Sequence, residues 1–162
     1  MLNEQPSSWR TYEEVAVYLL DLFAAEFGLE EVQGTQSVPG HRSGTSWRLD
    51  GKGVLLGGQG FVIVECRRHT TEKLKQESVA AVAYRIQDTG AEGGILVSPI
   101  GLQEGAAKVA AAEKVVPVVM DAASTTEDYV VRFLKRTMFG ASARDGAKAS
   151  DSAEAVVKPA VQ

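Results

Sequence analysis

Apolar residues recur at helical spacing at Val15, Leu19, Leu22, Phe23 and Phe27. Just ahead of them, Thr11-Tyr12-Glu13-Glu14 fits a capping box, with Thr11 as N-cap and Glu14 at the third helical position. A helix is therefore expected from Thr11, with Gly28 as its stop. The pattern then shortens to strand length. Three strands are expected, over residues 30–36 (interrupted by Gly34), 45–49 and 61–66. The last contains Phe61-Val62-Ile63-Val64, an apolar run that implies burial on both faces. Gly51, Gly53, Gly57, Gly58 and Gly60 read as the connection between the second and third strands, so the three form an antiparallel meander.

Beyond residue 70 the elements alternate. A helix over 71–88 carries Leu74, Val79, Val82, Ala83 and Ile86 on its apolar side, with Gly90 beyond it. A short strand over 94–97, an Ala-rich helix over 102–113, a strand over 115–120 and a helix over 124–139 follow. Pro117 favours an edge or bulge for the last strand. The order α-β-β-β-α-β-α-β-α predicts an α/β fold, a mixed central sheet with helices on both faces.

Composition narrows the class of protein. The 162 residues include 44% apolar and 23% charged, as in a soluble globular domain, and the length suits one packed core. Cys66 is the single cysteine, which excludes an intrachain disulfide, and with His41 and His69 it cannot build a Cys/His zinc site. The longest apolar run, 115–120, is too short to span a bilayer, and residues 1–10 have no apolar targeting core. The expectation is a cytoplasmic protein with a reduced thiol and no membrane partner.

The 17 basic and 21 acidic residues give a net charge of −4, which argues against coating nucleic acid by bulk charge. Residues 141–162 read as a flexible low-complexity tail, with three basic residues (Arg144, Lys148, Lys158) and three acidic ones (Asp145, Asp151, Glu154). The excess of acid therefore lies in the folded body, expected over residues 1–140.

Some of that acid forms a pattern. Glu65 and Arg67 project to one face of their strand, and Asp50 closes the strand before it. If those strands pair antiparallel, the end of one lies opposite the start of the other. The two carboxylates then meet only where the strands diverge or cross, or if Asp50 lies beyond the paired region. Brought together they would repel, and a divalent cation would remove the repulsion. Hard oxygen ligands suit Mg2+, with Mn2+ as the alternative.

At these positions the sequence resembles the PD-(D/E)-x-K nucleases, specifically the Mrr-type restriction endonuclease branch. Asp50 is followed fifteen residues later by Glu65-Cys66-Arg67, and Gly94-Ile95-Leu96-Val97-Ser98-Pro99-Ile100-Gly101 and Gly105-Ala106-Ala107 also fit, so that the resemblance covers roughly residues 11–121. It implies a restriction-endonuclease-like fold and metal-dependent hydrolysis of DNA phosphodiesters. By this resemblance Asp50 and Glu65 hold the metal, joined by Glu14 as the acid of the first helix. Two departures stand out: Arg67 replaces the motif's lysine, and Leu49 its proline. Arginine stays protonated and clamps phosphate, but it is a poor general base. Lys52 is a second candidate cation for catalysis, and Arg67, Arg68, His69, Lys73 and Lys75 form a basic cluster suited to DNA.

Each residue also has a structural reading. Asp50-Gly51-Lys52-Gly53 makes a good turn, Glu65 and Arg67 a cross-strand ion pair, and Glu14 is accounted for by the capping box. Cys66 beside His69 suggests a thiol nucleophile, but its place after an apolar run points to the core. Ser98-Pro99-Ile100-Gly101 before a helix suits either phosphate or an ordinary cap. Three functions follow: a Mg2+-dependent nuclease acting on DNA, with a homodimer serving to cut two strands; a module of the same fold that binds nucleic acid or a partner protein without hydrolysis; and an interaction protein that reaches its partner through the tail.

Overall fold

The structure, a computed structural model, describes residues 11–68 and 71–120. The helix expected over 124–139, the tail over 141–162 and His69 lie outside the described residues. Helix α1 (Tyr12–Leu22) opens as its sequence predicts, with Thr11 Oγ1 accepting the Glu14 N–H at 3.1 Å. A 3-10 turn (Ala24–Phe27) follows and ends at Gly28 in the left-handed conformation.

Five strands, not three, precede the next helix: β1 (Leu29–Gln33), β2 (Gln36–Pro39), β3 (Ser46–Leu49), β4 (Gly51–Leu55) and β5 (Phe61–Cys66). Then come α2 (Gln76–Thr89), β6 (Gly93–Ser98), α3 (Glu104–Ala112) and β7 (Val115–Val119). Helix α2 starts five residues later than its apolar pattern suggests. Leu74 is instead extended and bridges to Leu102.

The main sheet has the order β1-β4-β5-β6-β7, antiparallel from β1 to β5 and parallel from β5 to β7. Pro117 sits on β7, the terminal strand of this sheet, as the lost donor requires. The parallel strands alternate between two cores. Val62, Val64, Cys66, Ile95, Val97, Val116 and Val118 pack with Val15, Ala16, Leu19 and Leu20 of α1. Ile63, Leu96 and Val115 pack with Val79, Val82 and Ile86 of α2 and Ala106 and Ala110 of α3. Burial of both faces explains why these strands read as unbroken apolar runs.

Strands β2 and β3 form a separate two-stranded ribbon, yet its register continues that of β1 and β4. Gln33 pairs with Lys52, and Gln36 with Leu49. The four strands are thus one long hairpin, bent where Thr35 faces Asp50. There the Thr35 hydroxyl donates to the Asp50 carbonyl at 3.4 Å. The inner half joins the main sheet, and the outer half carries Val38, Trp47 and Leu49 into the core beside α2.

The stretch expected as a glycine-rich connection is therefore half strand. Gly51 and Gly53 are strand residues because nothing larger fits. A Cβ at Gly51 would lie 3.0 Å from Val17 Cγ2, and one at Gly53 2.7 Å from Val62 Cγ2 and 2.8 Å from Leu29 Cδ1. Glycine in a strand here marks the close approach of neighbouring side chains rather than a turn.

Candidate active site

The bend removes the geometric obstacle raised by the sequence. Asp50 does not end the strand that pairs with β5; it precedes it. Gly51 pairs with Val64, so Asp50, one residue earlier, stands opposite Glu65, one residue later. Asp50 Oδ2 accepts the Cys66 N–H at 2.8 Å. The carboxylate thus replaces the ladder partner that β5 loses where the hairpin turns away, and the same bond fixes its position.

Glu65 is 2% exposed and points to the α2 side of the sheet. Two guanidiniums meet it. Arg85 of α2 makes a charge-assisted hydrogen bond to Oε1, and Arg67 Nη1 lies 3.6 Å from Oε2. Burial pushes the Glu65 carboxyl above its ordinary value. Arg85 opposes that shift, the Asp50 charge adds to it, and Arg67 opposes it more weakly. Each carboxylate therefore lies in the other's field, and positive charge is what the pair requires.

The other expected residues fall into place around this centre. Arg67 is half-buried and continues the parallel ladder, its N–H donating to the Val97 carbonyl at 2.8 Å. Arg68 is exposed, as are Lys73 and Lys75 on either side of buried Leu74. No ion pair joins these three to Asp50 or Glu65. Lys52 lies on the α2 side, but its Nζ sits 4.6 Å from the centroid of the Phe61 ring, toward the start of β5 and away from Glu65.

Glu14 is exposed and its backbone serves the N-cap. Its neighbour Glu13 is half-buried, and its charge bears on the Cys66 thiol. The Cys66 thiol faces the α1 core. Burial pushes its pKa far up, and Asp50, Glu13 and Glu65 push it further, which matches the core reading of this residue. Ser98 is buried and its Oγ accepts the Gly101 N–H at 3.1 Å, which matches the cap reading of that segment.

The residue that sequence reasoning missed is Arg85. Its guanidinium lies 5.0 Å from the Trp47 ring, across from Glu65. Trp47 Nε1 donates to Asp88 Oδ2 at 2.6 Å. Asp88 also accepts from Ser43 Oγ, Ser43 N and Arg42 N at 2.5, 2.8 and 2.8 Å, which ties the turn of the ribbon to the end of α2.

Among the described residues no group of three His, Cys, Asp or Glu side chains forms a metal cage. The hard carboxylate oxygens of Asp50 and Glu65 are donors of the type that suits a divalent ion such as Mg2+. Such an ion takes one or two carboxylates and keeps several waters. The mutual repulsion of the two acids is the feature that a divalent ion answers.

The mixed sheet sets two acids opposite each other at the bend, and the comparison with family models identifies the family of the chain. The chain belongs to the restriction endonuclease family described by the Mrr catalytic-domain model, which matches residues 7–124. Among solved structures, it is similar to the protein of unknown function AF1548, with 16% identity and a TM-score of 0.53 over 65% of this chain and 56% of that one. Further similarities are to a repair endonuclease from Pyrococcus abyssi (22% identity, TM-score 0.43, 71% of this chain and 49% of that one) and to the DNA modification-dependent restriction endonuclease AspBHI (18%, 0.42, 85% and 39%). The chain thus spans about half the length of these proteins or less. The comparison with curated proteins found no match. The fold is restriction-endonuclease-like, and no helix among the described residues is long and apolar enough to cross a membrane.

Proposed function

We propose that this domain is a divalent-metal-dependent nuclease that hydrolyses DNA phosphodiesters with water as the nucleophile. The observation that carries the reading is the bend that sets Asp50 opposite Glu65, in a chain of the restriction endonuclease family. Asp50 and Glu65 would hold Mg2+ or Mn2+. When bound, the ion would acidify a water and neutralise charge on phosphorus. The chain's own residues do the rest. The Cys66 N–H orients Asp50, and Arg67 offers a guanidinium to a phosphate oxygen on the Glu65 face. Arg67 remains protonated throughout, so the water's proton passes to solvent or to the phosphate rather than to the residue at the lysine position. Arg68, His69, Lys73 and Lys75 would contact the backbone of the duplex, and a second copy would serve its other strand. The test is cleavage of duplex DNA by the full chain with Mg2+. Cleavage that stops in chelator and in Asp50→Asn is expected; cleavage that persists in both refutes the reading.

A second reading is favoured by one observation: Glu65 already has two guanidinium partners. A domain of this kind would bind DNA with a steep salt dependence and leave it intact. Turnover with Mg2+ or Mn2+ excludes it. A role for residues 141–162 in holding a partner protein, and a cytoplasmic location, remain compatible with either reading.

A further inference from the structure

Arg85 stands apart from the two-carboxylate pattern, and its surroundings assign it a distinct task. It is clamped from two sides, by the buried Glu65 carboxylate on one and by the Trp47 indole on the other. The indole is itself held, through Nε1–H to Asp88 and an edge-on contact with Tyr84 at a centroid distance of 6.1 Å. A guanidinium fixed this way loses little freedom when it pairs with a carboxylate, which makes it an effective partner. It is also the stronger of the two cations at Glu65. It hydrogen-bonds to Oε1, while Arg67 stands 3.6 Å from Oε2.

We propose that Arg85 is a positioning residue and the resident counter-ion of the site: it fixes the Glu65 side chain toward Asp50 and competes with a divalent ion for the same carboxylate, with Trp47 as the seat that retains the guanidinium when the ion binds. This rests on the reading of Asp50 and Glu65 as metal ligands. Its consequence is that the affinity of the site for a divalent ion is set by a residue outside the ligand set, and is coupled through Trp47 and Asp88 to the β2–β3 ribbon.

The competition has a definite sign. Removing one positive charge a few ångströms from a divalent ion strengthens the binding of that ion, by about tenfold at an effective dielectric near that of water. The experiment is titration of the full chain with Mn2+ at pH 8 without DNA, followed by calorimetry or by the spectrum of free Mn2+. Wild type, Arg85→Gln, Arg85→Lys and Glu65→Gln are compared, with thermal unfolding as the fold control.

The expected result is about tenfold tighter Mn2+ binding in Arg85→Gln, binding within about threefold of wild type in Arg85→Lys, and loss in Glu65→Gln. Should Arg85→Gln not fold, Arg85→Met reports the same effect in the same direction, because it removes the same charge and keeps a long apolar stem beside the Trp47 ring. Unchanged or weaker Mn2+ binding in Arg85→Gln or in Arg85→Met, with Glu65→Gln still defective, overturns the proposal and leaves the metal reading standing. Equal binding by wild type and Glu65→Gln removes the metal reading, and the counter-ion role with it, as does the absence of Mn2+ binding in every protein.

Discussion

Two buried acids lie within one network and are treated in opposite ways. Asp88, at the end of α2, is wholly buried and receives neutral donors only: the Ser43 hydroxyl, the Trp47 indole and the N–H groups of Arg42 and Ser43. Those hydrogen bonds, the Ser43 hydroxyl foremost, hold its carboxyl well below the usual range against the opposing effect of burial. Glu65 is as deeply buried but is faced by charges. Burial and Asp50 push it up, and two guanidiniums only partly answer. An acid whose needs are met by fixed dipoles is a staple. An acid that still favours more positive charge, beside a second acid, is poised to take a ligand. Arg85 and Trp47 separate the two, so the fold keeps a structural carboxylate and a chemical one at either end of a single stacked pair.

This contrast is best broken by exchanging charge for amide at each end. Glu65→Gln is expected to lower DNA cleavage by about a thousandfold or more, because the proposed metal ligand is lost, while the chain still folds. Asp88→Asn is expected to cleave DNA at close to the wild-type rate at a temperature where it is folded. Full activity in Glu65→Gln, or the reverse pattern, would erase the distinction.

Stability should show the opposite ranking. Asp88→Asn loses charge-assisted acceptors for four donors, and its melting temperature is expected to fall by roughly 5–10 °C. The pH dependence follows from the sign of each shift. The folded-state pKa of Asp88 is depressed, so its contribution is complete above the unfolded value of about 3.9 and is lost as pH falls below it. The gap in melting temperature between wild type and Asp88→Asn should therefore close in acid. The folded-state pKa of Glu65 is raised, so its contribution is greatest in acid and is lost as pH rises through that raised value. Relative to Glu65→Gln, wild type should become less stable over that interval.

A smaller effect is expected within β4, on the inner half of the hairpin. Gly53→Ala places a methyl group against Val62 and Leu29 and should cost about 1–3 kcal/mol in urea unfolding. The smallest is on the surface. Arg68→Ala should weaken DNA binding by less than about tenfold and reduce the salt slope by about one, with melting unchanged.

Much of this was legible in the chain. The periodicity of α1 and the apolar runs of β5, β6 and β7 mark their elements because each buries a continuous stripe or two faces. Asp50, Glu65 and Arg67 were legible as a motif, since strand alternation alone sets Glu65 beside Arg67. The bent hairpin was not. Gly51 and Gly53 carry a turn signature, and only the side chains packed over them explain why they are strand. Arg85 was hidden because its partner lies twenty residues away and its own helix reads as amphipathic. One signal was available: Asp88 in the last turn of α2 opposes the helix dipole and so needs a compensating task. Following it would have led through Trp47 to Arg85 and on to Glu65.

The central claim is that the same degree of burial leaves one carboxylate satisfied and the other in need of a cation. Site-resolved carboxyl 13C NMR titration of the metal-free chain tests it most directly. The account predicts that Asp88 stays ionised to the acid limit of the folded state, and that Glu65 titrates above the ordinary glutamate value and shifts downward when the diamagnetic ion Mg2+ is added to saturation. Ordinary titration of both groups, or Glu65 insensitive to Mg2+, would contradict it.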